Sequence, residues 1–277
     1  MIKYLISVLL VLSFPFERGD DTELNKYSNE DICRLTNTTF KAGEKLTYKI
    51  YYNWGLLWMP AGNVTFTVKE KGDQYILKAV GKTYTTYNWF YEVEDYFYSH
   101  VDKVNLLPSY AKRDIDEGGF KILNEINFDQ KAGKASSYLK VNKKEPQTIK
   151  KDFENCMMDM LSLIYKLRNL DTKSMKIKEK VVFSMMLDDE IYDLNFEYLG
   201  KDPSKKVNGM GVFKTFKISP AVIKGRVFDQ DQRMTLWISD DNSKVPLYVE
   251  SPLAVGTVKV ILQKHENLLY PLNKISD

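Results

Sequence analysis

The chain has 277 residues, 44% of them hydrophobic and 28% charged, a balance that excludes intrinsic disorder. Forty basic and 37 acidic residues leave a formal charge of +3, which gives no reason to expect a nucleic-acid footprint built from clustered cations. The 18 Tyr and 14 Phe suit pleated, half-buried surfaces, and a β domain of this length can be a single unit.

Residues 1–20 read as a secretory signal peptide. Lys3 precedes an apolar run from Tyr4 to Phe16, and Glu17-Arg18-Gly19-Asp20-Asp21 closes it. The run is too short to span a bilayer, and its pattern predicts export to the periplasm or cell envelope. The competing reading is a buried N-terminal strand or helix. An Ala-x-Ala-like cleavage site is missing, and no Cys follows the run directly. No later segment has a transmembrane pattern. Residues 21–36 form a polar N-terminal arm, 37–266 a single β-rich domain and 267–277 a C-terminal tail.

Leu46, Tyr48, Ile50 and Tyr52 alternate with polar residues, and Val64, Phe66 and Val68 repeat the alternation after Pro60-Ala61-Gly62. Period-two patterning predicts two strands, here with a long aromatic connection between them. Gly72-Asp73 marks a turn into a strand at 75–80, and another strand spans 89–101. Strands at 108–116 and 119–129 flank a hairpin turn at Glu117-Gly118-Gly119, and 135–141 follows. Between 152 and 170 the period changes. Met157, Met160, Leu161, Ile164 and Leu167 recur at helical spacing, with Asn155 or Asp152 as N-cap and Arg168 complementing the dipole. Strands resume at 180–187, 191–198, 211–219, 233–239, 244–250 and 256–263. Short connections predict antiparallel neighbours, and a dozen strands in one system must curl or split. The expected fold is mainly β: a strongly curved antiparallel sheet forming an open barrel or β-roll, with one amphipathic helix at about 155–170 packed against it.

Chemistry is sparse. The two histidines, His100 and His265, lie at strand ends. Zinc-protease, nucleophile-elbow, P-loop and Rossmann motifs are missing, so no catalytic residue, cofactor or metal site is expected. Glu92 and Glu94 share a strand face with Asp95 on the other, and Asp229 and Asp231 are similarly spaced; a solvated strand face competes with acid–base work. Trp54, Trp58, Trp89 and Tyr91 are the candidate ligand-binding residues. Such aromatics can line a lipid, glycan or peptide site, or they can close one end of a barrel core. Cys33 and Cys156 are the only cysteines. In an oxidising compartment they suit a disulfide; two separate buried thiols are the alternative. Lys143, Lys144, Lys150 and Lys151 read as solvated turn residues.

Three ordered blocks of the sequence carry a family resemblance. The first is Phe40-Lys41-Ala42-Gly43-Glu44-Lys45-Leu46-Thr47-Tyr48, followed by Asn53-Trp54-Gly55 and Ala61-Gly62. The second is the helical segment from Asp159 through Ser162 and Tyr165 to Arg168, and the third runs from Leu236-Trp237 through Asp240-Asp241 and Pro246 to Glu250 and Gly256. The resemblance is to the DUF3108 family of exported bacterial envelope proteins in its Bacteroidetes form, and it covers roughly residues 37–265. It implies a curved, β-rich envelope protein and no particular activity.

The function expected from these features is a non-catalytic exported envelope protein that binds an apolar, lipid-like or amphipathic ligand, or a partner protein. A structural or assembly protein of the envelope is the alternative, and a carboxylate-dependent glycan hydrolase a more distant one. A nucleic-acid partner and a transmembrane span in the mature chain are not expected.

Overall fold

The computed structural model describes residues 25–54, 57–87, 92–220, 233–253 and 256–276, with the backbone alone at Trp54 and Tyr87. The expected signal peptide, Trp89, Tyr91, Asp229 and Asp231 lie outside the described residues. The chain opens with β1 (Asn25–Tyr27) and helix α1 (Asn29–Arg34), then β2 (Lys45–Trp54), β3 (Leu57–Lys71), β4 (Gln74–Thr83), β5 (Val93–Asp102), β6 (Pro108–Glu117), β7 (Phe120–Asp129), β8 (Lys134–Val141) and β9 (Gln147–Asp152). Helix α2 (Met160–Leu167) precedes β10 (Lys180–Leu187), β11 (Glu190–Val207), β12 (Gly211–Pro220), β13 (Thr235–Ser239), β14 (Pro246–Pro252), β15 (Thr257–Glu266) and β16 (Lys274–Ser276).

All these strands belong to one unclosed sheet. Its path runs β1, β10 to β15, then β2 to β9, with β16 beside β12. Two meanders are thus joined edge to edge, and the β15–β2 seam pairs Thr257 with Asn53 and Glu266 with Lys45. Every pairing between named strands is antiparallel except β1 with β10. Bulges at Ile50/Tyr51, His100/Val101, Leu262/Lys264 and along β11 interrupt the ladders and bend the strands.

Several expectations are corrected. The described part of the aromatic connection, residues 53–54 and 57–60, is strand: Asn53 pairs with Trp58 and Trp54 with Leu57. Pro60 is tolerated because it lies at the Ile50/Tyr51 bulge. Lys150 and Lys151 belong to the edge strand β9, where alternation is masked by an almost wholly polar sequence. The polar arm is also structured. Ser28 caps α1 and Ile32 inserts fully into the core. Cys33 and Cys156 are joined by a disulfide, their Cα atoms 5.7 Å apart.

Helix α2 starts later than periodicity suggests. Residues before it stay extended because their backbone is claimed elsewhere: Met186 N–H donates to Met158 O (2.8 Å), and Gln130 brackets Met157 with bonds of 3.2 and 2.7 Å. Asp159, not Asn155 or Asp152, is the N-cap; its carboxylate accepts from Leu161 N at 2.8 Å and Ser162 N at 3.3 Å. Ser162 returns the favour by accepting from Asp159 N at 3.0 Å, so its hydroxyl serves the cap. The helix packs against β4, β5 and β10 and is buried on nearly every side, which accounts for its apolar residues beyond one stripe. Even Lys166 is buried. Its ammonium donates to the carbonyls of Cys33 (3.2 Å), Leu35 (3.0 Å) and Asn105 (2.5 Å), tying the N-terminal segment to the helix. Burial pulls this lysine down to about 8, against the opposing pull of Asp102.

No helix among the described residues is long and apolar enough to cross a membrane. That statement does not bear on crossing by strands.

Candidate functional site: an apolar cavity beside the buried helix

The alternation in β2 and β3 sends Leu46, Tyr48, Ile50, Val64 and Phe66 to the face that carries α2. Together with Ile164 and Tyr165 of α2, and with Leu236, Pro246, Val249 and Val260 from β13 to β15, they line a partly open cavity of about 140 Å³. Arg168 and Met234 complete its wall.

The one charged residue in that described lining is already committed. Arg168 grips Glu44 through two N–H···O bonds of 2.5 and 3.0 Å, and donates to Ser243 O at 3.3 and 2.9 Å. Both side chains are essentially inaccessible, 3% and 0% exposed, so the pair is a dry ion pair whose geometry must offset its desolvation. The guanidinium also faces the rings of Phe40 and Tyr165, 5.5 and 5.3 Å from their centroids. Four of the five guanidinium N–H groups are thereby used.

Two tyrosines contribute the remaining polarity. Tyr48 donates its hydroxyl to Pro246 O at 2.9 Å and meets Phe66 edge-on. Tyr165 stacks edge-on against Phe40 at 4.8 Å, is 1% exposed, and its hydroxyl makes no hydrogen bond among the described residues. Burial pushes both phenols well up, with the Glu44 carboxylate adding to the rise and Arg168 opposing it.

The three sequence blocks that resemble one family converge here. Phe40, Glu44 and Tyr48 come from the first, Tyr165 and Arg168 from the second, and Pro246 from the third. Of the four candidate aromatics only Trp58 has a described side chain, and it does not join them. Trp58 is 40% exposed on β3, its ring covered by Lys259 Nζ at 3.7 Å, and it does not line the cavity. The Trp54 side chain lies outside the described atoms. Trp237 is a strand residue that donates to Asp202 (3.1 Å) and stacks edge-on against Tyr248.

A buried polar cluster lies along the same wall. Tyr48, Val64, Gly81 and Asp95 are successive register partners on one face, so Asp95 stands about 10 Å, two strand spacings, from Val64. Asp95 and Glu117 are 0% and 3% exposed. Burial first, and the Glu117 carboxylate second, push Asp95 up to about 8, so the pair holds a proton at neutral pH. Nearby, Arg113 pairs with Asp188 in the β10–β11 turn, while Asn124 and Ser137 bind the Asp188 carbonyl. These contacts pull the β10–β11 hairpin across the inner face of β6 to β8. Glu94 is directed outward to Lys82, and no group of His, Cys, Asp or Glu among the described residues is arranged to hold a metal ion. A glycan chain needs open access to its carboxylates, and Asp95 and Glu117 have none in this arrangement.

Among solved structures, a beta-barrel-like protein of the domain of unknown function DUF1849 from Brucella abortus is similar in fold, with a TM-score of 0.57 at 9% identity over 84% of this chain and all of that one. At that identity the likeness speaks to architecture alone. No curated protein matches the chain. The family profile described as "Protein of unknown function (DUF3108)" matches residues 47–263, which take in helix α2, Arg168 and most of the cavity lining, and the chain belongs to that family.

Proposed function

We propose that the protein is a non-catalytic, exported envelope protein that accommodates an apolar or amphipathic ligand in the cavity beside α2. The observation that carries this reading is a space of about 140 Å³ with a predominantly aliphatic and aromatic wall, whose single lining cation is neutralised by Glu44. Aliphatic cavities of roughly this size hold a benzene-sized molecule. A whole lipid is several times larger, so the described space fits one ring or the end of one chain. Export is supported by the N-terminal apolar run and by the disulfide, a bond that persists in oxidising compartments.

Toluene titrated into methyl-labelled protein tests the proposal. Saturable shifts are expected at the Leu46, Ile50 and Val260 methyls, and Val64→Phe, which fills the space, should abolish them. Shifts confined to surface methyls, or none that saturate, would remove the reading.

A further inference from the structure

We infer that the end of the β2–β3 hairpin, where Leu57 and Trp58 are exposed, docks on a phospholipid bilayer bearing anionic headgroups. Strand register defines this end of the sheet. Pro252, Thr257, Asn53 and Trp58 are successive partners across β14, β15, β2 and β3, so four strand ends stand level at one rim. The α-carbon of Gly256 lies so close to β2 that an added methyl would stand 2.2 Å from Asn53 O, which seats the two hairpins side by side. At that rim Leu57 is 70% exposed and Trp58 40%. The sequence has no charged residue from 50 to 68 or from 251 to 258. Hairpin ends normally carry polar turn residues, and large apolar side chains displayed there within an uncharged stretch suit an environment other than water.

Two observations favour lipid over a protein partner. The first is size. A stable protein interface takes about 20–30 residues a side, and two adjacent hairpin ends offer far fewer, whereas an acyl layer needs no matching shape. The second is what stands behind the tip. Lys259 Nζ lies over the Trp58 ring at 3.7 Å, and Tyr51, the register partner of Lys259, lies under Lys49 Nζ at 5.4 Å. Lys49 also faces the Tyr84 ring at 5.9 Å. Tryptophan, tyrosine and lysine set back from an apolar tip match the order in which a bilayer presents its acyl chains, interface and headgroups. Glu250 stands 3.7 Å from Lys259, while Lys49 has no ion pair among the described residues. Two cations against one acid leave a local positive charge, which anionic headgroups complement. None of this depends on the cavity.

The test uses the full chain, methyl-labelled, with bicelles of phosphatidylcholine and phosphatidylglycerol in equal parts that carry a doxyl-labelled phosphatidylcholine. The apolar run from Tyr4 to Phe16 can hold the chain on lipid by itself, so the readout is resolved by site and not by total binding. Relaxation enhancement should be greatest at the Leu57 methyls and the Trp58 indole. It should stay near background at Val104 and Ile177, each 65% exposed and placed away from this rim. Leu57→Asp alters a largely exposed side chain and should cut the enhancement at Trp58 about tenfold or more, the worth of one leucine withdrawn from the acyl layer. Bicelles of phosphatidylcholine alone should give a smaller effect at both positions. The wild-type pattern stands as evidence if the variant fails to fold. Enhancement spread evenly or greatest at Val104 or Ile177, no response to Leu57→Asp, or equal enhancement without phosphatidylglycerol would overturn the inference. Concentration-dependent shifts at Leu57 in lipid-free solution would assign the tip to a second copy of this chain and overturn it too. Either failure leaves toluene binding in the cavity untouched.

Discussion

Replacing Asp95 by Asn should change how stability depends on pH, in a direction the structure fixes. Asp95 is held protonated by burial and by Glu117, with its pKa raised from 3.8 to about 8. In the unfolded chain the same carboxyl ionises near its ordinary value. Between those two values the native state binds more protons than the unfolded state, so stability falls as pH rises through this window. Below pH 4 the contribution is fully present; above pH 8 it is lost. A shift of about 4 units at about 1.4 kcal/mol per unit sets a ceiling of about 6 kcal/mol. That is comparable to the entire stability of many domains. Asn mimics the protonated acid. Its oxygen can keep accepting from Asp116 N, a 3.3 Å contact, and its amide can donate toward Glu117. Urea unfolding followed by circular dichroism at pH 4.5, 6 and 8, with the disulfide intact, measures the difference between variant and wild type. The Asn variant should be close to wild type at pH 4.5 and more stable by several kcal/mol at pH 8. A difference that stays constant across the three pH values would refute the reasoning, because a merely steric effect has no such slope.

Two further outcomes follow from the same packing. Arg168→Met strands a carboxylate that is 0% exposed and should cost about 3–5 kcal/mol, whereas adding Glu44→Leu should recover at least half of that loss; additive losses in a urea-melt double-mutant cycle would show the two residues to be uncoupled. Reduction of the Cys33–Cys156 bond, which links residues 123 apart, should lower stability by about 4–5 kcal/mol in the chain-entropy account, read as a fall in the urea midpoint with dithiothreitol; an unchanged midpoint would mean that the bond contributes nothing.

Much of the architecture was legible because two-residue alternation survives wherever one face is buried. Val93, Asp95, Phe97, Ser99 and Val101 alternate in β5, and the Gly118-Gly119 turn sits where positive φ is required, at 55° and 86°. Legibility failed where alternation carries no hydrophobic contrast. β9 is Gln-Thr-Ile-Lys-Lys-Asp, and β1 and β16 are three residues each, short enough that pairing partners, not local preference, define them. The helix starts later than its periodicity suggests because Cys156 to Met158 carry apolar side chains while the backbone of Met157 and Met158 is bonded to Gln130 and Met186. The cavity was harder still. Its critical groups lie far apart in sequence, Glu44 and Arg168 being 124 residues apart. Spacing cannot reveal such a pair. The available signal was one acid and one base inside otherwise separate resembling blocks. Aromatic richness pointed instead to Trp58, whose exposed ring does not line the cavity.

The unclosed sheet has a consequence for how this protein meets others. Its two terminal strands among the described residues present unpaired backbone groups that could recruit a foreign strand. One rim, β9, carries Lys150 and Lys151 on a largely exposed strand; the other, β1, is three residues long and braced by the helix that follows it. Charge deters templating at the first and brevity at the second. Lengthening of the sheet, the usual hazard of an incomplete barrel, is thereby disfavoured at both margins.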